Sequence, residues 1–195
     1  GSLVQAGTVL GIMGHTAGSY KIPRDRSHLH LEIGLRLTDY FQPWYNRKKF
    51  GSKNHNGIWN GMNMIGMDPL DLYEHFCPQG PDALRDYIQK LPTAFTMRVV
   101  TTKIPDFVAR YPSLVVGSLP KDGVKGWDID FTWYGLPKAW RPLMVAAGSP
   151  NSVTLLAYNS ALLKENACRK TLILKNGKYV MGDQLRDILD LIFGF

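Results

Sequence analysis

Two histidines separated by one residue, His28 and His30, carry the clearest chemical signal in this sequence. A neutral imidazole binds zinc at about 2.0–2.1 Å, and a catalytic zinc site keeps one coordination position open for water. Water bound there can lose a proton near pH 7 and becomes a nucleophile for amide hydrolysis. Two imidazoles at this spacing allow one ring to bind a metal ion while the other acts on the bound water. Glu32 is close enough in sequence to orient an imidazole by a hydrogen bond.

An alternating pattern predicts that these side chains project from one face of a β-strand over residues 27–34. Along this segment imidazole and carboxylate side chains alternate with leucine and isoleucine, so a strand places the two kinds on opposite faces. Upstream, residues 4–8 indicate a tight turn at Gly7, and residues 9–14 indicate a second strand interrupted by glycines. Residues 15–27 are expected to form the loop between them.

The order of these segments resembles the C-terminal half of a lysostaphin-type zinc endopeptidase domain. That family shows a V-x-x-G-x-x-(I/L)-G-x-x-G-x-T-G segment, an H-L-H-(F/L)-E-(I/V) strand and a nearby N-P. The corresponding residues here are Val4 to Thr16, His28 to Ile33 and Asp68-Pro69, so the resemblance covers about residues 3–76. It implies that His30 is a zinc ligand and that His28 is a catalytic histidine, which activates water or stabilises the oxyanion.

The same resemblance implies one zinc ion in the intact parent domain and a peptide of peptidoglycan as the substrate. It also implies a location in the cell envelope or outside the cell, including a phage tail or another secreted assembly. The chain departs from the family at the metal site. The family uses an upstream H-x-x-x-D motif for two further ligands, and none of the five histidines here has an aspartate four residues later. Smaller departures are Thr16-Ala17-Gly18 in place of T-G and Asp68-Pro69 in place of N-P.

Two interpretations fit these departures. In the first, the chain is a fragment of a zinc-dependent peptidoglycan endopeptidase, and a missing segment or a second chain completes the domain. In the second, it is a non-catalytic scaffold or binding module built on a degenerate peptidase fold. Because the protein ligands are too few in either case, we expect the isolated chain to bind zinc weakly and to have little peptidase activity.

The pattern along the chain predicts an α+β protein in three parts. Residues 1–76 are assigned to the β-rich, antiparallel part of a peptidase domain, residues 77–92 to a helical connector, and residues 93–195 to a small α+β domain of unknown role. Helices are predicted at 68–73, 81–91, 160–167 and from 183, and a long aromatic loop at 39–67. Strands are predicted at 95–102, 113–119, 127–134, 143–147 and 153–158, and a hairpin around Asn176-Gly177.

Composition limits the class of protein. The 195 residues are 45% hydrophobic, which excludes intrinsic disorder as the main description. A net charge of +7 fits either ordinary solubility or an anionic partner. The charge of residues 93–195 would suit attachment to an anionic wall, a partner protein or a tail-type assembly, and nucleic acid is less favoured. The longest apolar runs are only a few residues, so no membrane span is expected. Cys77 and Cys168 do not make a disulfide framework, and their state is left open.

The remaining candidates each have an ordinary structural explanation. His15, beside the motif, is a candidate substitute ligand. His55 is placed in a turn, and His75 follows Asp71 at helical spacing, as in an ordinary helix contact. Asp128 and Asp130 share a strand face, as a D-x-D metal site requires, but the solvated face of an amphipathic strand explains them equally well. The aromatic and basic residues within 39–50 suit either stacking on a ligand or packing of the loop.

Overall fold

In residues 1–17, 20–75 and 83–194, which the computed structural model describes, helices are interspersed with short antiparallel strands, and the predicted α+β class is confirmed. The chain divides into two compact units, residues 1–32 and residues 33–195. The proposed assignment of residues 1–76, 77–92 and 93–195 to separate parts stays a prediction. No helix in the described ranges is long and apolar enough to cross a membrane.

The first unit contains little regular structure. Strands β1 (Thr16–Ala17) and β2 (Tyr20–Lys21) form a small hairpin, and a 3₁₀ turn spans Arg24–Arg26. Among residues 1–16 and 21–32, whose burial is described, no side chain is buried. The unit therefore has no apolar core of its own within these ranges.

The second unit contains the other elements. Its helices are α1 (Phe41–Lys48), α2 (Pro69–His75), α3 (Ala83–Lys90), α4 (Asp106–Arg110), α5 (Ser160–Glu165) and α6 (Asp183–Phe193). Its strands are β3 (Ile33–Arg36), β4 (Met64–Met67), β5 (Phe95–Val99), β6 (Gly126–Phe131), β7 (Pro137–Leu143), β8 (Val153–Tyr158), β9 (Leu172–Lys175) and β10 (Lys178–Met181). The structure thus contains the predicted helices at 68–73, 81–91, 160–167 and 183 onward, with residues 76–82 outside the description.

A four-stranded antiparallel sheet in the order β7-β6-β5-β8 is the largest sheet. Buried and partly exposed residues alternate along β5 and β6, which places one face of the sheet in the core. Ile129 at the centre is fully buried and faces Met97 on one neighbour and Trp140 on the other. Helix α6 contributes a buried stripe to the same core, namely Leu185, Ile188, Leu189, Leu191, Ile192 and Phe193.

The hairpin of β9 and β10 forms as predicted. Asn176 and Gly177 have φ of 51° and 76°, and both residues tolerate the left-handed region that a two-residue hairpin turn requires. Strand β6 also lies where the 127–134 pattern indicates, and Trp127 at its start is buried as a core residue.

Several other predictions are wrong. Residues 9–14 and 27–32 form no strand, and the strand predicted at 27–34 is present only from Ile33. Residues 113–119 contain the end of a 3₁₀ turn at Pro112–Leu114 and one bridge from Val115. The strand predicted at 143–147 lies instead at 137–143. Its prolines are tolerated because β7 is at the edge of the sheet, where fewer N–H groups are needed.

Within residues 39–67, helix α1 replaces the predicted loop. Phe41, Trp44 and Tyr45 fall at helical spacing and are buried, so core packing explains these aromatics and ligand stacking is not required. Lys49 ends the helix in the left-handed conformation, with φ 50°.

The buried centre of β6 gives a stability prediction. We expect Ile129→Ala to lower the free energy of unfolding by roughly 2–5 kcal/mol, because it removes buried methyl groups and leaves a cavity. Leu174→Ala, on the exposed side of the hairpin, is the matched control and should cost about 1 kcal/mol or less. Urea denaturation measures both, and equal losses in the two variants would contradict the assignment of Ile129 to the core.

Candidate functional site

The two histidines of the H-L-H segment are in direct contact. Their Nε2 atoms lie 2.8 Å apart, and their ring centroids are 4.6 Å apart with planes tilted by 35°. The Nδ1 atom of His28 lies 2.8 Å from the backbone carbonyl oxygen of Arg26. The Nδ1 atom of His30 lies 3.8 Å from Glu32 Oε1. The segment thus brings both predicted site residues and the predicted orienting carboxylate together.

These contacts determine where the protons of the pair lie. A carbonyl oxygen only accepts hydrogen bonds, so His28 Nδ1 carries a hydrogen and donates it to Arg26. In neutral His28 the Nε2 atom then has a lone pair and accepts the N–H of His30. In the neutral pair this leaves His30 Nδ1 without a hydrogen, next to the Glu32 carboxylate. In this arrangement His28 accepts a hydrogen bond at Nε2, and Nδ1 of His30 faces the Glu32 carboxylate.

The residues present do not fit a complete zinc site. Imidazole is the right kind of donor, but two ligands of tetrahedral zinc stand about 3.3 Å apart when each lies at 2.0–2.1 Å. The observed Nε2 atoms are closer than this and are bonded to each other. In the described part of the chain, no three His, Cys, Asp or Glu side chains are grouped so as to hold a metal ion.

Exposure explains why the strand prediction fails at this site. Leu29 and Leu31 are 87% and 70% exposed, so the face opposite the histidines has nothing to pack against within its own unit. An alternating sequence becomes a strand only where a neighbouring strand pairs with it and its apolar face is covered. The segment has the correct alternation but lacks both conditions.

The other histidines do not join the pair to form a metal-type cluster. His15 Nδ1 lies 3.1 Å from the carbonyl oxygen of Ile22, and His55 is exposed in its turn. His75 lies 3.1 Å from Asp71 Oδ1 within α2. This agrees with the ordinary helix contact that the spacing indicates.

Asp71 also accepts a hydrogen bond from the hydroxyl of Tyr87 at 2.5 Å. Burial, reinforced by this hydrogen bond to a carboxylate, raises the pKa of Tyr87 well above its usual range. The phenol therefore stays protonated and links α2 to α3.

The two aspartates of the D-x-D pair on β6 each form an ion pair with an arginine. Arg98 donates two hydrogen bonds of 2.7 Å to Asp128, and Arg141 donates bonds of 2.8 and 2.5 Å to Asp130. Burial by itself would raise the pKa of Asp130, but the bonds from Arg141 and Thr96 outweigh it and hold this pKa below its usual value. The two side chains are only 16% and 18% exposed, so neither the solvated-face explanation nor a metal site describes them.

Sequence reasoning missed a charge cluster that joins distant segments. Asp39 pairs with Arg36 and Arg110, and Arg110 also pairs with Asp106. Only the i,i+3 and i,i+4 spacings within it are visible in the sequence. Cys168 is exposed and not in a disulfide, and Cys77 lies outside the described residues.

Comparisons with protein-family models, with curated proteins and with solved structures find no match to this chain.

The proton arrangement of the pair gives a prediction for NMR. We expect His28 at high pH to carry its hydrogen on Nδ1, the reverse of the tautomer that an isolated imidazole side chain favours. Long-range ¹H–¹⁵N correlation identifies the protonated nitrogen directly. His55, which is exposed and has no described side-chain bond, is the internal control. A hydrogen on Nε2 of His28 would contradict the contact with Arg26.

The pairing of Asp130 gives a prediction for acid stability. The pKa of Asp130 is lowered in the folded state. Its contribution to the free energy of unfolding is therefore complete above the pKa of the unfolded chain, near 3.8, and is lost as the pH falls through the lower pKa of the folded state. We expect Asp130→Asn to cost roughly 1–3 kcal/mol at pH 6, with a difference from wild type that shrinks towards pH 2. Asp122→Asn, at an exposed position, is the control, and a difference independent of pH would contradict the ion pair.

Proposed function

We propose that this chain contributes the H-x-H part of the centre of a zinc-dependent peptidoglycan endopeptidase, and that polypeptide outside the described residues supplies the remaining ligands. The single observation that carries the proposal is the direct contact of His28 and His30, with Arg26 and Glu32 beside their Nδ1 atoms. One ring is fixed as a proton acceptor by a backbone carbonyl, and the other leaves a bare nitrogen beside a carboxylate. These two states are suited to the two roles that the family resemblance implies.

His28 takes the role of a base in this proposal. Its Nδ1–H is held by Arg26, so its Nε2 is directed outward as an acceptor once the contact with His30 opens. A histidine held in this way accepts a proton from an attacking water and returns it to the leaving amine. Zinc, when bound, supplies the acidity of that water and polarises the scissile carbonyl.

His30 takes the role of the metal ligand. Binding zinc through Nε2 requires His30 to give up the 2.8 Å contact with His28 and to carry its ring hydrogen on Nδ1 instead of Nε2. Glu32 Oε1, 3.8 Å from Nδ1, is then placed to accept that hydrogen after a small shift, which is the arrangement commonly found around metal-bound histidine.

The exposure of the first unit supports completion by other polypeptide. Eight large apolar side chains in residues 3–31 are between 55% and 103% exposed, namely Leu3, Val4, Val9, Leu10, Ile12, Met13, Leu29 and Leu31. A segment with this much open apolar surface is suited to packing against further polypeptide. In this proposal the substrate is the peptide part of peptidoglycan, and the protein acts in the cell envelope or outside the cell.

The second candidate function is a non-catalytic binding module on a degenerate peptidase fold. The observation that favours it is the lack, within the described ranges, of any third ligand near the pair. The two candidates differ in what surrounding polypeptide supplies. An enzyme requires an H-x-x-x-D segment that joins His30, and a binding module does not.

The test uses the natural polypeptide that contains this chain, with zinc content and cleavage of purified peptidoglycan measured separately. We expect His30→Ala to lose both zinc and cleavage. His28→Ala should keep zinc but lose cleavage by about 10²–10⁴-fold, because only the base is removed. His55→Ala is the control and should change neither. The chain alone should bind zinc weakly and cleave little.

Three results would contradict the proposal. One tightly bound zinc per isolated chain together with cleavage would show that no further ligands are needed. Stoichiometric zinc that survives His30→Ala in the natural polypeptide would place the metal elsewhere. Normal folding with neither zinc nor cleavage would favour the binding module.

A further inference from the structure

The second unit contains a cavity that the proposed peptidase chemistry does not use. Its volume is about 850 Å³, within the range of about 300–1,000 Å³ that is typical of small-molecule sites. The apolar lining is dominated by aromatic and methionine side chains, chiefly Trp44, Phe50, Met62, Met64, Met67 and Trp133. Methionine is unbranched and polarisable, so such a wall adapts to flexible apolar ligands.

The lining includes two carboxylates, which have described partners, and one exposed cation, which has none. Asp68 accepts hydrogen bonds from the N–H groups of Leu70 and Asp71 at the start of α2, at 2.9 and 3.3 Å. Asp187 pairs with Lys48. Arg169 also lines the cavity, and the described residues give its guanidinium neither an ion pair nor a hydrogen bond.

The segments that carry Arg169 and Gln184 lie against each other. The N–H of Gly182 donates to the carbonyl oxygen of Thr171 at 2.9 Å, and a Cβ at Gly182 would collide with the carbonyl oxygen of Lys170. The segment that carries Arg169 therefore runs directly against the start of α6, where Gln184 also lines the cavity. These two segments contribute a guanidinium and an amide to a lining that also includes the carboxylates of Asp68 and Asp187, whereas most of the wall is apolar.

We propose that this cavity binds a small amphiphile with an apolar body and a single anionic head group, a carboxylate or a phosphate. The head group pairs with Arg169, whose planar guanidinium donates two parallel hydrogen bonds to either oxyanion. The body lies among the tryptophans and methionines. The site belongs to the second unit alone, so it stands or falls independently of the proposed peptidase function.

The test uses the full chain and titrates dodecanoate, dodecyl phosphate and dodecanol below their micelle-forming or solubility limits. Isothermal calorimetry gives the affinities, and quenching of tryptophan fluorescence reports occupancy because Trp44 and Trp133 line the cavity. We expect at least one anionic probe to bind about tenfold or more tightly than dodecanol, since a hydrogen bond to a charged group is worth this much. Preference between the two anions identifies the natural head group.

Two variants locate the binding. Arg169→Gln should remove the advantage of the anionic probes and leave dodecanol binding unchanged. Arg186→Gln is the matched control, because Arg186 is on the same helix as Gln184, is exposed and does not line the cavity. Gly66→Leu should weaken all three probes. Gly66 lines the cavity, and a Cβ there meets only the carbonyl oxygen of Ile33, at 3.8 Å, so the variant is expected to fold.

Circular dichroism and the melting temperature verify the folding of each variant. Three results would overturn the proposal. They are equal affinity for dodecanol and both anions, binding that Gly66→Leu leaves unchanged, and absence of binding by all three probes in the wild-type chain.

Discussion

A charge cluster at the start of the second unit holds its two halves together. The Asp39 carboxylate lies 2.6 Å from Arg36 and 2.7 Å from Arg110, and Asp106 accepts bonds from Arg110 and from the backbone N–H of Asp39. The hydrogen bond from Arg110 is the main cause that lowers the pKa of Asp39. Both guanidinium groups are more than four-fifths covered, so removing either acidic partner would leave a cation poorly solvated.

Contacts of this kind join residues 33–75 to residues 93–194 within the second unit. Strand β3 and helix α1 come before the predicted connector, and α4 and α6 come after it. Arg47 and Lys48 on α1 pair with Asp190 and Asp187 on α6, more than 130 residues later in sequence. Buried Phe41 and Trp44 share one apolar core with β5, β6 and α6. The local sequence pattern that predicts a connector at residues 77–92 carries no information about these pairings.

The elements that could be predicted are those whose signal is local. The hairpin of β9 and β10 follows from Asn176-Gly177, and α3 and α6 follow from apolar residues at 3.6-residue spacing. Helix α1 was missed because its short length and Pro43 obscure a helical spacing of Phe41, Trp44 and Tyr45 that is present in the sequence. The H-L-H contact was half predictable. The residues involved are visible in the sequence, but the direct Nε2–Nε2 contact forms in a segment that is not a strand.

The location of the histidine pair has a thermodynamic consequence. The pair lies in the unit that buries none of its described side chains, and the adjoining unit carries the apolar core. A segment of this kind gains little stability from its own packing, so whatever binds it also orders it. If further strands and two more ligands complete the site, metal binding and ordering become one equilibrium, and the free energy of ligation is also free energy of folding. The His28–His30 hydrogen bond gives each Nε2 atom a partner in the chain as it stands. In the proposed enzyme this bond would be exchanged for metal coordination once the further ligands are present.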